Sequence, residues 1–323
     1  MNADEIDVQH TEVKGAELSK AMEHVAEGDR VVFLEPGFTI KGEVTKKFDK
    51  NGTDHIVITP DKSNGIKPIE VALTEQNSKR LDGLYSVNDA GEKKPRQFAY
   101  LEVKQLMDQK RFGSLAAKDI MGSVGSLMQG NKTEVLKDVT FSYDNGETTN
   151  KEVRDARFEL RRNNKGQIAV KAHKALPEYD LSKPFYGREF TQDEKKKLHT
   201  DGELGLKEFV NKESGELYNM WVGLDKELKR PMARPEWAIN KDKIYGVALT
   251  DSQKKDWQAG NAVVLDKNNK TKVYQASASS RKLSGIKDFS LEQAQKKGLV
   301  ATPDKDATKS QKEDKKQSKG VSR

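Results

Sequence analysis

Short runs in which apolar and polar residues alternate dominate residues 28–100 and predict β-strands. Val31 to Leu34 leads into a Pro36-Gly37 turn, and the dipeptide Asn51-Gly52 stands before the run from Ile56 to Ile58. Asn-Gly between two such runs is the strongest short-range hairpin signal, because both residues tolerate a positive φ. Short strands on tight turns must curl to bury their apolar faces. We therefore predict a small SH3-like β-barrel over this range.

The two flanking segments have helical spacing instead. Residues 1–27 are a polar lead that ends in a short helix from Ala16 to Ala26, and residues 101–137 repeat apolar positions at helical intervals. Glycines at positions 113, 122 and 125 interrupt the second segment. Because glycine weakens a helix interior, this segment is predicted to be a helical connector of two or three short helices.

Residues 138–182 contain a predicted antiparallel β-hairpin. Phe158, Leu160, Ile168 and Val170 alternate with Arg157, Arg161, Lys171 and His173. Successive side chains of a strand point to opposite faces, so we expect the apolar set to face inward and the basic set to lie on the solvent face.

An internal repeat predicts duplicated αβ units over residues 183–297. The segment Phe185–Leu198 aligns with Ile244–Trp257, and five of the fourteen positions are identical, namely a Tyr, a Gly, a Thr and a Lys-Lys pair. Thr191 and Thr250 are the expected N-caps, because a threonine side chain can accept a hydrogen bond from an unpaired backbone N–H. Each copy is therefore predicted to be a turn, a capped helix, a glycine stop and a hairpin. The matched apolar ends, Leu198 and Trp257, are expected to be buried.

The whole chain has a mild basic excess, with 58 Lys and Arg against 51 Asp and Glu, a formal net charge of +7 and a pI of about 9.1. Such an excess favours nucleic acid only where basic residues cluster. The chain has no cysteine, which excludes disulfides and thiolate metal sites and fits a cytoplasmic protein. No apolar run approaches the ~20 residues that span a bilayer. Residues 298–323, rich in Lys, Asp, Gln and Ser, are predicted to be a disordered basic tail.

Catalytic and cofactor-binding patterns are weak in this sequence. The five histidines form no short-spaced pair, so a zinc site has no sequence basis. The run Gly130 to Thr133 resembles the end of a P-loop, but Asn131 stands where that motif needs glycine, and a turn after a helix explains it better. There is no cysteine nucleophile and no GxSxG elbow. We expect a non-enzymatic protein without a cofactor or a metal; an enzyme with a dispersed site remains a further alternative.

The basic cluster in the hairpin is the most informative candidate site, with eight basic and three acidic residues from Lys151 to Lys174. Arginine forks suit phosphate oxygens, and clustered cations release counterions from nucleic acid. The candidate nucleic-acid-binding residues are Arg154, Arg157, Arg161, Arg162, Lys165, Lys171 and Lys174. The alternative is a solvated strand face on which Glu159 pairs with neighbouring arginines. The tryptophans at 221, 237 and 257 could stack on bases, but two of them fall in predicted elements with apolar neighbours, which favours core packing.

Four segments carry a family resemblance, which covers more than half of the chain. They are MQGNKTEVL (Met128–Leu136), RDARFELRRNNKGQIAVKAH (Arg154–His173), KPFYGREFTQDEKKKL (Lys183–Leu198) and YGVALTDSQKKDWQAGNAVVL (Tyr245–Leu265). In this order they resemble the paired domains of unknown function, families 4099 and 3945, of Bacteroidota proteins from conjugative and other mobile elements. The resemblance implies a genomic setting and a cytoplasmic location, but no reaction and no catalytic residues. Trp257 departs from the pattern, in which leucine is common at that position.

The sequence thus predicts a mixed α+β protein of several small modules: an SH3-like barrel, a helical connector, a basic hairpin, duplicated αβ units and a disordered tail. The first functional hypothesis is a non-enzymatic accessory protein of a mobile genetic element that contacts DNA or RNA weakly and nonspecifically, or contacts proteins that process nucleic acid. The second is a protein–protein adaptor whose charges only solubilise it. An uninterrupted basic face on the hairpin would favour the first. No membrane contact is expected.

Overall fold

The computed structural model describes residues 24–35, 38–61, 67–88, 90–144, 149–162, 168–267 and 270–301. The chain divides into two compact units, Met1–Ala175 and Leu176–Arg323. The predicted tail from Thr302 onwards and most of the predicted N-terminal helix lie outside the described residues. Among the helices that are described, none is long and apolar enough to cross a membrane.

The first unit begins with five antiparallel strands. They are β1 (Arg30–Glu35), β2 (Phe38–Lys50), β3 (Thr53–Pro60), β4 (Ile69–Ala72) and β5 (Leu81–Gly83), and a short helix, α1 (Glu75–Ser78), precedes β5. The order across the sheet is β4-β3-β2-β1-β5. Asn51 and Gly52, with φ of 57° and 79°, form the turn between β2 and β3, which confirms the predicted Asn-Gly hairpin.

This sheet is open. Its strands β4 and β5 remain at opposite edges, so the described hydrogen-bonded ladder does not close. Strand β2 has an irregularity in its register between Val44 and Lys46, and such bulges increase the local twist of a strand. Buried Val31, Ile56 and Leu81 belong to one core cluster of this part of the chain. The described strands therefore form an antiparallel sheet whose hydrogen-bonded ladder is not closed into a barrel.

Three short helices lie between residues 100 and 128, as predicted for the helical connector over residues 101–137. They are α2 (Tyr100–Asp108), α3 (Ala117–Met121) and α4 (Val124–Met128); before them lies a small hairpin of β6 (Tyr85–Val87) and β7 (Lys93–Pro95). The next sheet consists of β8 (Leu136–Asp144), β9 (Thr149–Arg162) and β10 (Ile168–Lys174), in the order β10-β9-β8. The rings of Phe112 and Phe158 meet edge to face at 5.5 Å, within one core that also holds Leu127. The three helices and the sheet of β8, β9 and β10 therefore share a single core.

The second unit is built from two antiparallel meanders, each preceded by a tight turn and a helix. Its strands are β11 (Glu203–Val210), β12 (Leu217–Asp225), β13 (Arg230–Pro235), β14 (Lys243–Ile244), β15 (Val247–Ala248), β16 (Ala262–Lys267), β17 (Lys270–Ala276) and β18 (Ile286–Ser290). Its helices are α5 (Gln192–Thr200), α6 (Asp251–Gln258), α7 (Leu291–Lys296) and the 3₁₀-helix Glu236–Ala238. The two three-stranded sheets have the orders β11-β12-β13 and β16-β17-β18.

The predicted caps, buried helix ends and glycine stops are present in both copies, but each copy ends in a three-stranded meander where a hairpin was predicted. The hydroxyl of Thr191 accepts from the Glu194 N–H at 3.2 Å, and that of Thr250 accepts from the Gln253 N–H at 3.3 Å, so each helix begins at its predicted cap. Both matched apolar ends, Leu198 and Trp257, are fully buried. Each helix is followed by a glycine of positive φ, Gly202 or Gly260, before the first strand of its meander.

The two copies meet backbone to backbone at a pair of glycines. A Cβ on Gly205 would lie 2.1 Å from the Gln258 carbonyl oxygen, and a Cβ on Gly260 would lie 2.5 Å from the Gly205 nitrogen. No side chain fits at either position, and both backbones also have a positive φ. Glycine is therefore required here for a close approach of the two copies as well as for the turn.

A buried polar cluster joins the same two copies. The Glu203 carboxylate, at the start of β11, accepts hydrogen bonds from the Ala278 N–H at 3.1 Å, the Ser279 hydroxyl at 3.0 Å and the Lys287 ammonium at 3.0 Å, as well as from Ser277. Burial raises the pKa of Glu203, against the opposing effect of the Lys287 charge. The sequence did not predict this cluster.

Candidate nucleic-acid interface

The basic hairpin is formed by β9 and β10 in the predicted antiparallel arrangement. Arg157 stands opposite His173, and Glu159 stands opposite Lys171. Their neighbours Phe158 and Leu160 point the other way and are buried in the core against the helices. The predicted apolar face is thus confirmed.

The opposite face is not the open solvent face that the sequence predicted. Arg157 is 2% exposed and His173 is 5% exposed, so that prediction is wrong for both residues. Strand alternation decides which side chains share a face, but it does not decide whether that face is covered. The middle of β9, residues 156–160, is buried on both faces.

Lys132 belongs to the covered face. It is 5% exposed, and its neighbour Thr133 donates its N–H to the Phe158 carbonyl at 2.9 Å and accepts from the Phe158 N–H at 3.0 Å. Gly130 has a positive φ and follows helix α4, so the predicted turn after that helix is confirmed. The turn directs Lys132 towards the charged face of β9, where its charge acts on both Glu159 and His173.

Glu159 is the centre of this covered face. Its carboxylate lies 2.6 Å from the Arg161 Nε and 3.2 Å from the His173 Nε2. Burial opposes ionisation of Glu159, but the contact with His173 and the charges of Lys132 and Arg161 outweigh it and hold its pKa below the ordinary value. Burial lowers the pKa of His173 despite the neighbouring carboxylate. Burial therefore favours the neutral form of His173 and reduces the charge that it adds to the hairpin.

Glu152 forms the second ionic centre. Its carboxylate contacts Arg154 Nε at 2.9 Å and Lys174 Nζ at 2.7 Å. The Lys174 ammonium also lies 4.3 Å from the ring centres of Phe141 and of Tyr143. Arg154 and Lys174 thus share one carboxylate, and the two rings also hold Lys174, which interrupts the predicted basic face.

Arg162 is fixed in the interior of the unit. It forms a bidentate pair with the buried Glu102, with Nη1–Oε1 at 2.8 Å and Nη2–Oε2 at 3.0 Å, and its guanidinium lies 5.4 Å from the ring centre of Phe98. The same Glu102 accepts the Ala99 N–H at 2.9 Å and so caps helix α2. These contacts tie strand β9 to the start of helix α2, which is a structural role for Arg162.

The remaining candidates differ in accessibility. Arg161 keeps 56% of its side chain exposed and Arg154 keeps 37%, whereas Lys171 is half-buried. Lys165 lies outside the described residues. Of the predicted candidates that the structure describes, Arg161 and Arg154 therefore have the side chains most accessible to a phosphate, and Lys171 is partly accessible.

The second unit exposes several aromatic side chains, of which the sequence had indicated only Trp237 as a possible stacking residue. The two repeats expose the same residue, Tyr186 at 57% and Tyr245 at 48%, while Trp237 is 85% exposed. Trp221 and Trp257 are buried, as core packing predicted. The sequence signal that could have indicated these exposed tyrosines is the presence of the same residue at the same position of both repeats.

Nothing in the described ranges groups three or more His, Asp or Glu side chains as a metal site would. Comparisons of the chain with protein-family models, with curated proteins and with solved structures find no match.

Proposed function

We propose that this chain is a non-enzymatic accessory protein of a mobile genetic element that contacts nucleic acid weakly through the hairpin. The observation that supports the proposal is the sharing of carboxylates: one Glu152 faces both Arg154 and Lys174, and the single carboxylate of Glu159 faces Arg161 with Lys132 close by. Pairing therefore reduces the positive charge of the hairpin without cancelling it.

The interruption of the basic face sets the expected strength of binding. Arg154 and Arg161 are already paired with carboxylates, so a phosphate must compete with Glu152 and Glu159 for them. Exposed ion pairs are weak and offer little resistance to this competition. Three contacts, from Arg154, Arg161 and Lys171, predict a log–log salt slope of roughly −3 on duplex DNA. Binding should be detectable at low salt and marginal at physiological salt.

The test is fluorescence anisotropy with a labelled duplex across a salt series, comparing the wild type with the double variant Arg161→Gln/Lys171→Gln. We expect the variant to bind more weakly and its slope to become shallower by about two. Arg157 is excluded from the variant because it is buried. The matched control is Lys183→Gln/Lys296→Gln, which removes two exposed, ion-paired lysines from the second unit. Equal slopes for both variants would contradict the proposal.

A second candidate function, a protein–protein adaptor, is favoured by a different observation. Of the twelve large hydrophobic side chains that are exposed in the described residues, ten lie in the second unit. Exposed aromatic and aliphatic side chains are the usual anchors of protein interfaces. If the wild type binds no nucleic acid even at low salt, the adaptor function takes the place of the first proposal.

The SH3-like barrel and the cytoplasmic location also remain proposals. The first five strands form a meander in which β5 returns beside β1, and a barrel requires in addition that the β4 and β5 edges approach each other. NMR contacts between protons of these two strands would test that closure.

A further inference from the structure

The repeated segments keep a tyrosine where the backbone disfavours one. Tyr186 and Gly187 have φ of 52° and 82°, and Tyr245 and Gly246 have φ of 47° and 85°. Both pairs are the central residues of two-residue hairpin loops, closed by Phe185 with Arg188 and by Ile244 with Val247. This is the geometry of a type I′ turn, whose first central position favours Asn, Asp or Gly.

Among the other identical residues of the repeat, the glycines and the threonines have structural roles. Gly187 and Gly246 supply the positive φ of the second turn position, and Thr191 and Thr250 cap the helices. The fold requires these. It does not require the tyrosine, because a bulky residue with positive φ is strained there. Because both copies have a tyrosine here despite the strain of its backbone, we infer that the tyrosine ring has a function.

Each of the two rings is exposed and also held in place. Tyr186 meets Phe185 edge to face at 4.8 Å and Phe209 at 6.4 Å, and Tyr245 meets Tyr274 at 5.7 Å. These contacts restrict the rings while about half of each residue stays accessible. A rigid, accessible ring is a pre-organised stacking surface.

A lysine accompanies each turn, from positions that are unrelated in the repeat. The Lys212 side chain lies directly over Gly187, where a Cβ would come within 2.5 Å of its Cε and 3.3 Å of its Nζ. Lys282, which forms an ion pair with Asp288, also lies close enough to Tyr245 for an electrostatic interaction. A cation thus lies near the turn in each copy.

We propose that the Tyr186 and Tyr245 turns are two equivalent sites for unpaired bases of a single-stranded nucleic acid. An aromatic ring stacks on a base of any sequence, and an adjacent ammonium attracts the backbone phosphate. A duplex does not present its base faces, so these sites select single strands. The inference rests on the proposed nucleic-acid contact, but it assigns a surface separate from the hairpin and a specificity that the hairpin lacks.

The test compares binding of a labelled oligothymidylate and of a labelled duplex, each about 20 nucleotides long, enough for several stacked bases. The main variant is Tyr186→Asn/Tyr245→Asn. Asn tolerates the left-handed conformation, so the turns should keep or gain stability while the rings are lost. The conservative variant Tyr186→Phe/Tyr245→Phe keeps both rings. Leu217→Asn, which removes another exposed apolar side chain of the second unit, is the matched control.

We expect the wild type to favour the single strand, and the Asn variant to bind it roughly tenfold to a hundredfold more weakly, as the loss of stacked bases requires. Duplex binding should not change, and the Phe and Leu217 variants should bind both nucleic acids as the wild type does. Single-strand binding that survives in the Asn variant, or that falls equally in the Phe variant, would overturn the stacking sites and leave the hairpin proposal standing. If only the hairpin variant Arg161→Gln/Lys171→Gln loses duplex binding, this supports the hairpin proposal independently. If the wild type binds neither nucleic acid, both proposals are overturned.

Discussion

Asp82 is a buried carboxylate that makes the stability of the first unit depend on pH. It lies in β5, is 2% exposed and accepts the Leu101 N–H at 3.2 Å at the start of helix α2. Burial raises its pKa from 3.8 to about 6, against the backbone N–H groups that favour its charged form. The helix start holds this carboxylate but does not offset its desolvation.

Replacing Asp82 with Asn should therefore change the pH dependence of stability. Because the folded-state pKa of Asp82 lies above that of the unfolded chain, ionisation destabilises the folded protein as the pH rises from about 4 to about 7. Asn keeps an acceptor for the Leu101 N–H and does not titrate. We expect the free energy of unfolding of Asp82→Asn to improve relative to the wild type by up to about 3 kcal/mol between these two pH values.

Urea unfolding of both proteins at the two pH values measures this difference, and the subtraction cancels the other titrating groups. A Ser86→Ala variant, which changes a nearby strand residue without a titrating group, serves as the control. If the wild type and Asp82→Asn show the same dependence on pH, folding does not raise the pKa of Asp82.

Among the elements, the capped helices of the repeats give the sharpest comparison. Both α5 and α6 have a threonine cap, and the backbone N–H of each threonine donates in return to the side-chain oxygen of the third helical residue, Glu194 or Gln253. Thr191→Ala and Thr250→Ala should each lower the free energy of unfolding by about 1 kcal/mol. Thermal and urea unfolding measure the loss. Thr191→Ser and Thr250→Ser, which keep the hydroxyl, should restore most of it; a loss with serine equal to that with alanine would argue against the cap.

Such elements could be predicted because their signals are local. A threonine with Glu or Gln three residues later, or an Asn-Gly dipeptide between alternating runs, contains its own structural reason within a few positions. Glu203 has no such signal, because its partners Ser277 and Lys287 lie 74 and 84 residues further along the chain. The burial of Arg157 was missed for a related reason: a strand pattern shows which side chains face together and not what covers them.

On the scale of the whole molecule, the predicted tail should be dispensable for folding. Its composition offers too little apolar surface to offset the entropy of ordering the chain. Truncation after Ala301 should leave the thermal midpoint unchanged within error, as measured by calorimetry or circular dichroism. A truncation after Ser290, which also removes helix α7 and its buried Ala294, should lower the midpoint and serves as the comparison. A fall of more than a few degrees in the first variant would mean that the tail packs on the protein.

The glycine contact between the repeats, together with the Glu203 cluster, has a consequence for the folding of the two copies. Tandem copies of a gene segment are normally gained and lost singly, because each one folds by itself. Here the loss of the second copy would remove every hydrogen-bond donor that the structure gives to the Glu203 carboxylate, and would expose the Gly205 backbone. Deleting either copy should therefore unfold the other, so that the pair forms one folding unit.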